Sequence, residues 1–166
     1  MVEKGAKKRA NKLADRILLG AATLAAFAES LSDAEWVLPI SERDKRTVGT
    51  VVHHVASMYP IETEAAQAVA GGKELMEVTW DVITGVNAQH AAENTSIEKA
   101  EAIDLLRRNG NASADAIRQL TDEQLDTAAP FGLSYGAPVT VQFVIEDHAL
   151  RHSWHHLAKI KLALGR

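Results

Sequence analysis

Four of the seven histidines in this 166-residue chain fall within Asp147-His148-Ala149-Leu150-Arg151-His152-Ser153-Trp154-His155-His156. His148, His152 and His156 are each four residues apart, and in a helix that spacing stacks three imidazoles on one face, one turn above another. Two histidines at i and i+4 chelate a single ion because both rings project the same way about one turn apart. His148/His152 and His152/His156 both qualify. The duller alternative, a polar face with incidental histidines, is disfavoured by the apolar residues that flank the cluster.

A second cluster, His53-His54, sits among Val51, Val55 and Met58. Adjacent helical residues project about 100° apart, so only one of the pair can face a site shared with the C-terminal histidines. Helical phase alone leaves either one possible. A lone core-facing histidine is ordinarily a hydrogen-bonded core residue; here a second histidine cluster supplies it with potential co-ligands. The chain has no cysteine, which excludes disulfides, thiolate ligands and a cysteine nucleophile. Any metal must be held by His, Asp or Glu, and three neutral imidazoles with water suit Zn(II), Ni(II), Fe(II) or Cu(II). Zinc is expected by availability, with nickel next because purification can load it.

The elements that must position these residues read as helices. Apolar recurrence every three to four residues predicts a first helix from about Lys7 to Leu31. Ser32 and Asp33 offer a new cap before an exposed charged stretch from Glu42 to Arg46. A second helix is predicted from Thr47, carrying Val48, Val51, Val52, Val55 and Met58, with a kink or break at Pro60 and an end at Gly71-Gly72. A third helical region over 75–120 is too long for one element, and Thr95-Ser96-Ile97-Glu98-Lys99 marks a cap with a break or bend near Asn94. Asn109-Gly110-Asn111 weakens its middle. A short extra turn begins at Thr121. Pro130 to Pro138 reads as a loop, after which Thr140 caps a last helix running through Leu164. The expectation is an all-α four-helix bundle with short extra helical turns and long connecting loops, a single domain over 1–166. Bundle cores are where facing helices assemble metal sites.

Composition narrows the class. With 46% hydrophobic and 24% charged residues the chain has what a folded core needs, so wholesale disorder is excluded. A net charge of -4 and a pI near 6.0 give no general attraction to nucleic acid or anionic membrane. The basic start at Lys4, Lys7, Lys8 and Arg9 followed by an apolar run faintly resembles a secretory signal. However, Asp15 and Arg16 abut that run, and its spacing at Leu13, Ile17, Leu24, Phe27 and Leu31 is that of a helix core. No segment reaches the roughly 18 apolar residues of a membrane span, and a cytoplasmic location is expected.

Thr47-Val48-Gly49-Thr50-Val51-Val52-His53-His54-Val55-Ala56 and His152-Ser153-Trp154-His155-His156-Leu157-Ala158-Lys159-Ile160 together resemble the DinB/YfiT-like superfamily of metal-binding four-helix bundles. The first is similar to the family's second-helix stretch ending in His-Leu-Ala, the second to its terminal His-x-x-x-His stretch followed by Leu-Ala-x-Ile. The Asn87-Ala88 step and the Phe131-Gly132 loop add to the likeness, which runs over most of the chain. The resemblance implies one divalent metal ligated by His54, His152 and His156, with His54 favoured over His53 because it directly precedes the Val-Ala that stands in for Leu-Ala. His148 is then a fourth ligand, a base or a cavity wall. His155 and His148 are the first candidates for acid–base catalysis, ahead of His53, Glu146, Asp147 and Tyr59; His90 is a further residue able to reach the cavity. The implied activity is metal-dependent attack by water or a low-molecular-weight thiol on a small electrophile, of the S-transferase, isomerase or hydrolase type. Relatives include thiol-dependent S-transferases and maleylpyruvate isomerase-like proteins. Some thiol-dependent relatives carry Glu where this chain has His152, which separates their chemistry from this one. The competing class is a noncatalytic, stress-related metal- or ligand-binding bundle. A small-molecule substrate and a homodimer complete the expectation, with loops 32–46 and 129–139 closing over the metal.

Overall fold

The computed structural model describes residues 7–166; Lys4, part of the basic start, lies outside them. Four long helical stretches form the bundle. The first, α1 (Lys8–Glu29), buries Leu13, Ile17 and Leu24 along one stripe with five alanines. Those small residues let α5 (Lys99–Ile117) approach so closely that a Cβ placed on Gly110 would lie 2.8 Å from the Cβ of Ala21. On the other side of α5 packs α3 (Val48–Ala70), whose N-cap Thr47 accepts from the backbone of Thr50. A short helix, α2 (Asp33–Trp36), starts with a capping box between Ser32 and Glu35 and sends the indole N–H of Trp36 to the carbonyl of Ile97 at 2.8 Å.

The helix α3 runs through Pro60 without a break. Proline has no N–H to give the carbonyl four residues earlier, and the amide of Asn109 on α5 supplies the missing donor, reaching the carbonyl of Ala56 at 2.8 Å. Asn109 therefore repairs a neighbouring helix, where the sequence suggested only a weakened one. Beyond Gly71, with Gly72 at φ 77°, the region 75–120 resolves into α4 (Trp80–Glu93) and α5. The break falls where expected, but the N-cap of α5 is Glu98, without a side-chain cap bond. No residue of α4 is buried; this helix lies against the bundle instead of within it.

After α6 (Asp122–Asp126), opened by a Thr121/Gln124 capping box, the Pro-rich stretch expected as a loop is bracketed by a short hairpin within the otherwise helical fold. Strands β1 (Ala128–Pro130) and β2 (Pro138–Thr140) pair antiparallel, with Ala129 opposite Val139. The hairpin also clasps the segment before α4: Leu75 donates to the carbonyl of Pro130 and Gly132 donates to that of Leu75, both at 3.0 Å. A Cβ on Gly132 would meet the carbonyl oxygen of Val78 at 2.4 Å, so glycine permits this approach.

Thr140 caps the last stretch, which is not a uniform helix. It comprises α7 (Val141–Ile145), a π-helical segment (Glu146–Leu150) and α8 (Arg151–Ala163). The π-helix lies one turn before the metal-type histidines, a position that π-bulges frequently occupy at functional sites. Among the described residues no helix is long and apolar enough to cross a membrane.

Candidate metal centre

The phase of α3 turns His54 inward between Val51 and Val55, leaving it 3% exposed. Across from it, the i, i+4 spacing on α8 places His152 and His156 one above the other. Their ring centroids lie 4.7 Å apart, and each is close to His54, at 5.0 Å for His152 and 5.3 Å for His156. One ring nitrogen from each of the three falls within 4.8 Å of the others, the one such metal-capable group among the described residues. The Nδ1 atoms of all three are buried and have no hydrogen-bond partner. Buried polar atoms are rarely left unpaired, and a donor set of three imidazoles is what a divalent ion takes. An ion bound to nitrogen at about 2.1 Å bridges donors up to about 4.2 Å apart, so these residues fit one with small ring movements.

Burial lowers the pKa of His54 to about 3, with further lowering from His152 and His90, and pushes His156 lower still for the same reason, next to His152 and His54. Both rings are therefore neutral at neutral pH, the form that coordinates metal. The other ambiguity in the sequence resolves at His53. This ring turns away from His54 toward α4, where its Nδ1 lies 2.9 Å from Nε2 of His90. His90 stacks on His53 and meets His54 edge-on at 5.3 Å; it backs the cluster without lining the cavity in front of it.

His148 is not part of the cluster. It sits within the π-helix, packs edge-on against Phe131 at 5.7 Å, and lines the cavity as a wall. His155 lines the same cavity and packs against His156. Burial lowers the pKa of both. The remaining helpers suggested by the sequence have other duties. Glu146 pairs with Arg16 at the surface, while Asp147 lines the cavity paired with Arg151. Tyr59 is buried, with its hydroxyl 2.6 Å from Ser153 Oγ and its pKa raised to about 12 by that burial. Trp154 packs on Gly20.

The cavity, about 310 Å³, has an apolar wall that includes Met58, Trp80, Ile83, Phe131 and Leu133, and cations at Arg46, Arg151 and Lys159. Loop 129–139 contributes to it as expected, but loop 32–46 supplies Arg46 alone; α4 takes the larger share. The indole N–H of Trp80 donates to the carbonyl of Leu133 at 3.0 Å, joining α4 to the hairpin as one roof. Glu62 was not visible as a site residue in the sequence. It lies two turns beyond His54 on α3, 9% exposed, with Oε1 2.7 Å from Nδ1 of His152. The contact is close but off the hydrogen-bond direction, which leaves that nitrogen unpaired. The available signal was an acidic residue four beyond Met58 on the apolar face of α3.

The sequence model of the DinB superfamily matches residues 17–160. Comparison with curated proteins finds no match. Among solved structures, YfiT from Bacillus subtilis, described as a probable metal-dependent hydrolase with an unusual four-helix bundle topology, superposes with a TM-score of 0.76. The alignment covers 100% of this chain and 91% of YfiT at 19% identity, a likeness of fold. With the match spanning nearly the entire bundle, the chain belongs to the DinB superfamily.

Proposed function

We propose that this protein is a metal-dependent hydrolase whose ion is held by His54, His152 and His156, with zinc or nickel as the metal. The observation that carries the reading is the convergence of three buried imidazoles, with unpaired nitrogens, on one side of a cavity of about 310 Å³. Similarity to YfiT, itself described as a probable metal-dependent hydrolase, supports the reaction class. A divalent ion bound here lowers the pKa of water or of a low-molecular-weight thiol enough to supply a nucleophile at neutral pH.

The chain's own residues supply the rest. His148 and His155 face the cavity as neutral imidazoles, able to accept a proton from the nucleophile and return it to a leaving group. The apolar wall would hold the substrate body and exclude water, while Lys159 adds a positive charge to a lining in which Arg46 and Arg151 are paired with Asp44 and Asp147. A noncatalytic role would be favoured by a fourth histidine closing the site, and the position of His148 against Phe131 argues for an open one. The test is metal analysis of tag-free protein, followed by a screen of small esters, amides and, with added thiol, electrophiles. Stoichiometric metal and a metal-dependent turnover lost in His152→Ala are expected. No metal, or turnover that survives this substitution, would sink the reading.

A further inference from the structure

Glu62 is a carboxylate in the wrong surroundings for an isolated charge. It is buried on the apolar face of α3, its Oε2 has no hydrogen-bond partner, and among the described residues no lysine or arginine lies within ion-pair distance of it. Its one close ionisable partner is His152, with Oε1 2.7 Å from Nδ1. Burying a carboxylate without a compensating cation is costly, and buried charges are paired or coordinate metals. A divalent ion held by the neighbouring imidazoles would supply the missing positive charge.

We propose that Glu62 is the acidic member of the metal centre, a positioning residue that fixes the ring of His152 and offsets one of the two charges of the ion. This rests on the three-histidine reading above. The geometry suits it: Glu62 follows His54 by two helical turns and lines the same cavity, so α3 would supply an imidazole and a carboxylate while α8 would supply the other two imidazoles. The carboxylate–histidine–metal arrangement raises ligand basicity and holds the ring in orientation.

The test uses the full chain, tag-free, stripped with chelator and reloaded with Co(II), comparing wild type with Glu62→Gln, Glu62→Asp and His54→Ala. Affinity by competition, the visible absorption of bound Co(II) and the melting temperature with and without the ion are read. Glu62→Gln is expected to weaken affinity about 10- to 100-fold, to shift the absorption band, and to shrink the metal-induced rise in melting temperature while leaving the metal-free value level or higher. Wild-type affinity and spectrum in Glu62→Gln would overturn the proposal. So would a lower metal-free melting temperature with the metal-induced rise unchanged, the mark of a merely structural residue. Should Glu62→Gln not fold, Glu62→Asp carries the test: drawing the carboxylate back by one methylene is expected to weaken binding, and unchanged affinity overturns the assignment. If wild type itself takes up no Co(II), or His54→Ala binds it equally well, the three-histidine reading has failed rather than the role of Glu62.

Discussion

His53 and His90 point their ring nitrogens at each other across 2.9 Å, and this pairing is what separates His53 from its neighbour His54. Two adjacent histidines on one helix cannot serve one site, and here the spare ring is occupied by α4. The expected outcome is that His53→Ala keeps metal at close to wild-type affinity, whereas His54→Ala weakens it beyond the roughly 10- to 100-fold that loss of a supporting partner costs. Competition titration with a chromogenic chelator measures both.

The amide of Asn109 completes α3 at Pro60, so Asn109→Ala leaves the carbonyl of Ala56 without its donor. An unsatisfied buried acceptor costs about 1–3 kcal/mol. Pro60→Ala restores a backbone N–H at that position, and in its background the loss at Asn109 should shrink. Denaturant unfolding of both single variants and the double variant checks this non-additivity.

Acid sensitivity of the metal-free protein follows from His54 and His156. Their folded pKa values lie below the unfolded value of about 6.5, so below that pH the unfolded chain binds protons that the folded one does not. Stability is therefore expected to be unaffected by these groups above about pH 6.5 and to fall as pH drops, by about 1.4 kcal/mol per pH unit for each ring, until the folded value is reached, about 3 for His54. Bound metal should be released over the same range, since protons compete for the nitrogens. Denaturant melts between pH 8 and 4, with and without Zn(II), test both expectations. A flat profile across that range would contradict the buried neutral histidines.

Gly132 lets the hairpin close on the segment before α4, and Gly132→Ala would drive a methyl group into the carbonyls of Val78 and Met76. Because α4 buries no residue, it depends on such ties, including Trp80 to Leu133. The expected effect is a loss of about 1–3 kcal/mol, with faster amide hydrogen exchange concentrated in α4 and the hairpin. Measurement by mass spectrometry would show whether the bundle itself stays protected.

The bundle was legible because its helices announce their starts: Ser32, Thr47, Thr121 and Thr140 all cap where the sequence places them. The clustering of His152 and His156 was legible for the same reason, since a four-residue spacing needs only a helix to become a site. What stayed hidden depends on partners distant in sequence. The hairpin strands are three residues each and both carry proline, which reads as loop. Glu62 looks like an ordinary polar position until His152 arrives beside it. Asn109 looks like a helix weakener until Pro60 is seen to need a donor. His148 seemed the first member of a column because the spacing rule assumes a regular helix.

That irregularity in the last helix has a consequence of its own. In a regular helix the twelve residues from Ile145 to Leu157 would turn the buried face by about 120°, yet both side chains are in the core. The wide turn at Glu146–Leu150 takes up the difference, acting as a one-residue spacer between two halves with separate registers. Deleting one residue there, such as Asp147, would let the last stretch close into a regular helix: eleven steps turn it by about 20° beyond three full turns, so Ile145 and Leu157 would still face the core and His152 and His156 would stay where they are. The wide turn is thus an insertion absorbed between two helical halves that keep their faces, and it sets where His148 lies without displacing the His152/His156 pair.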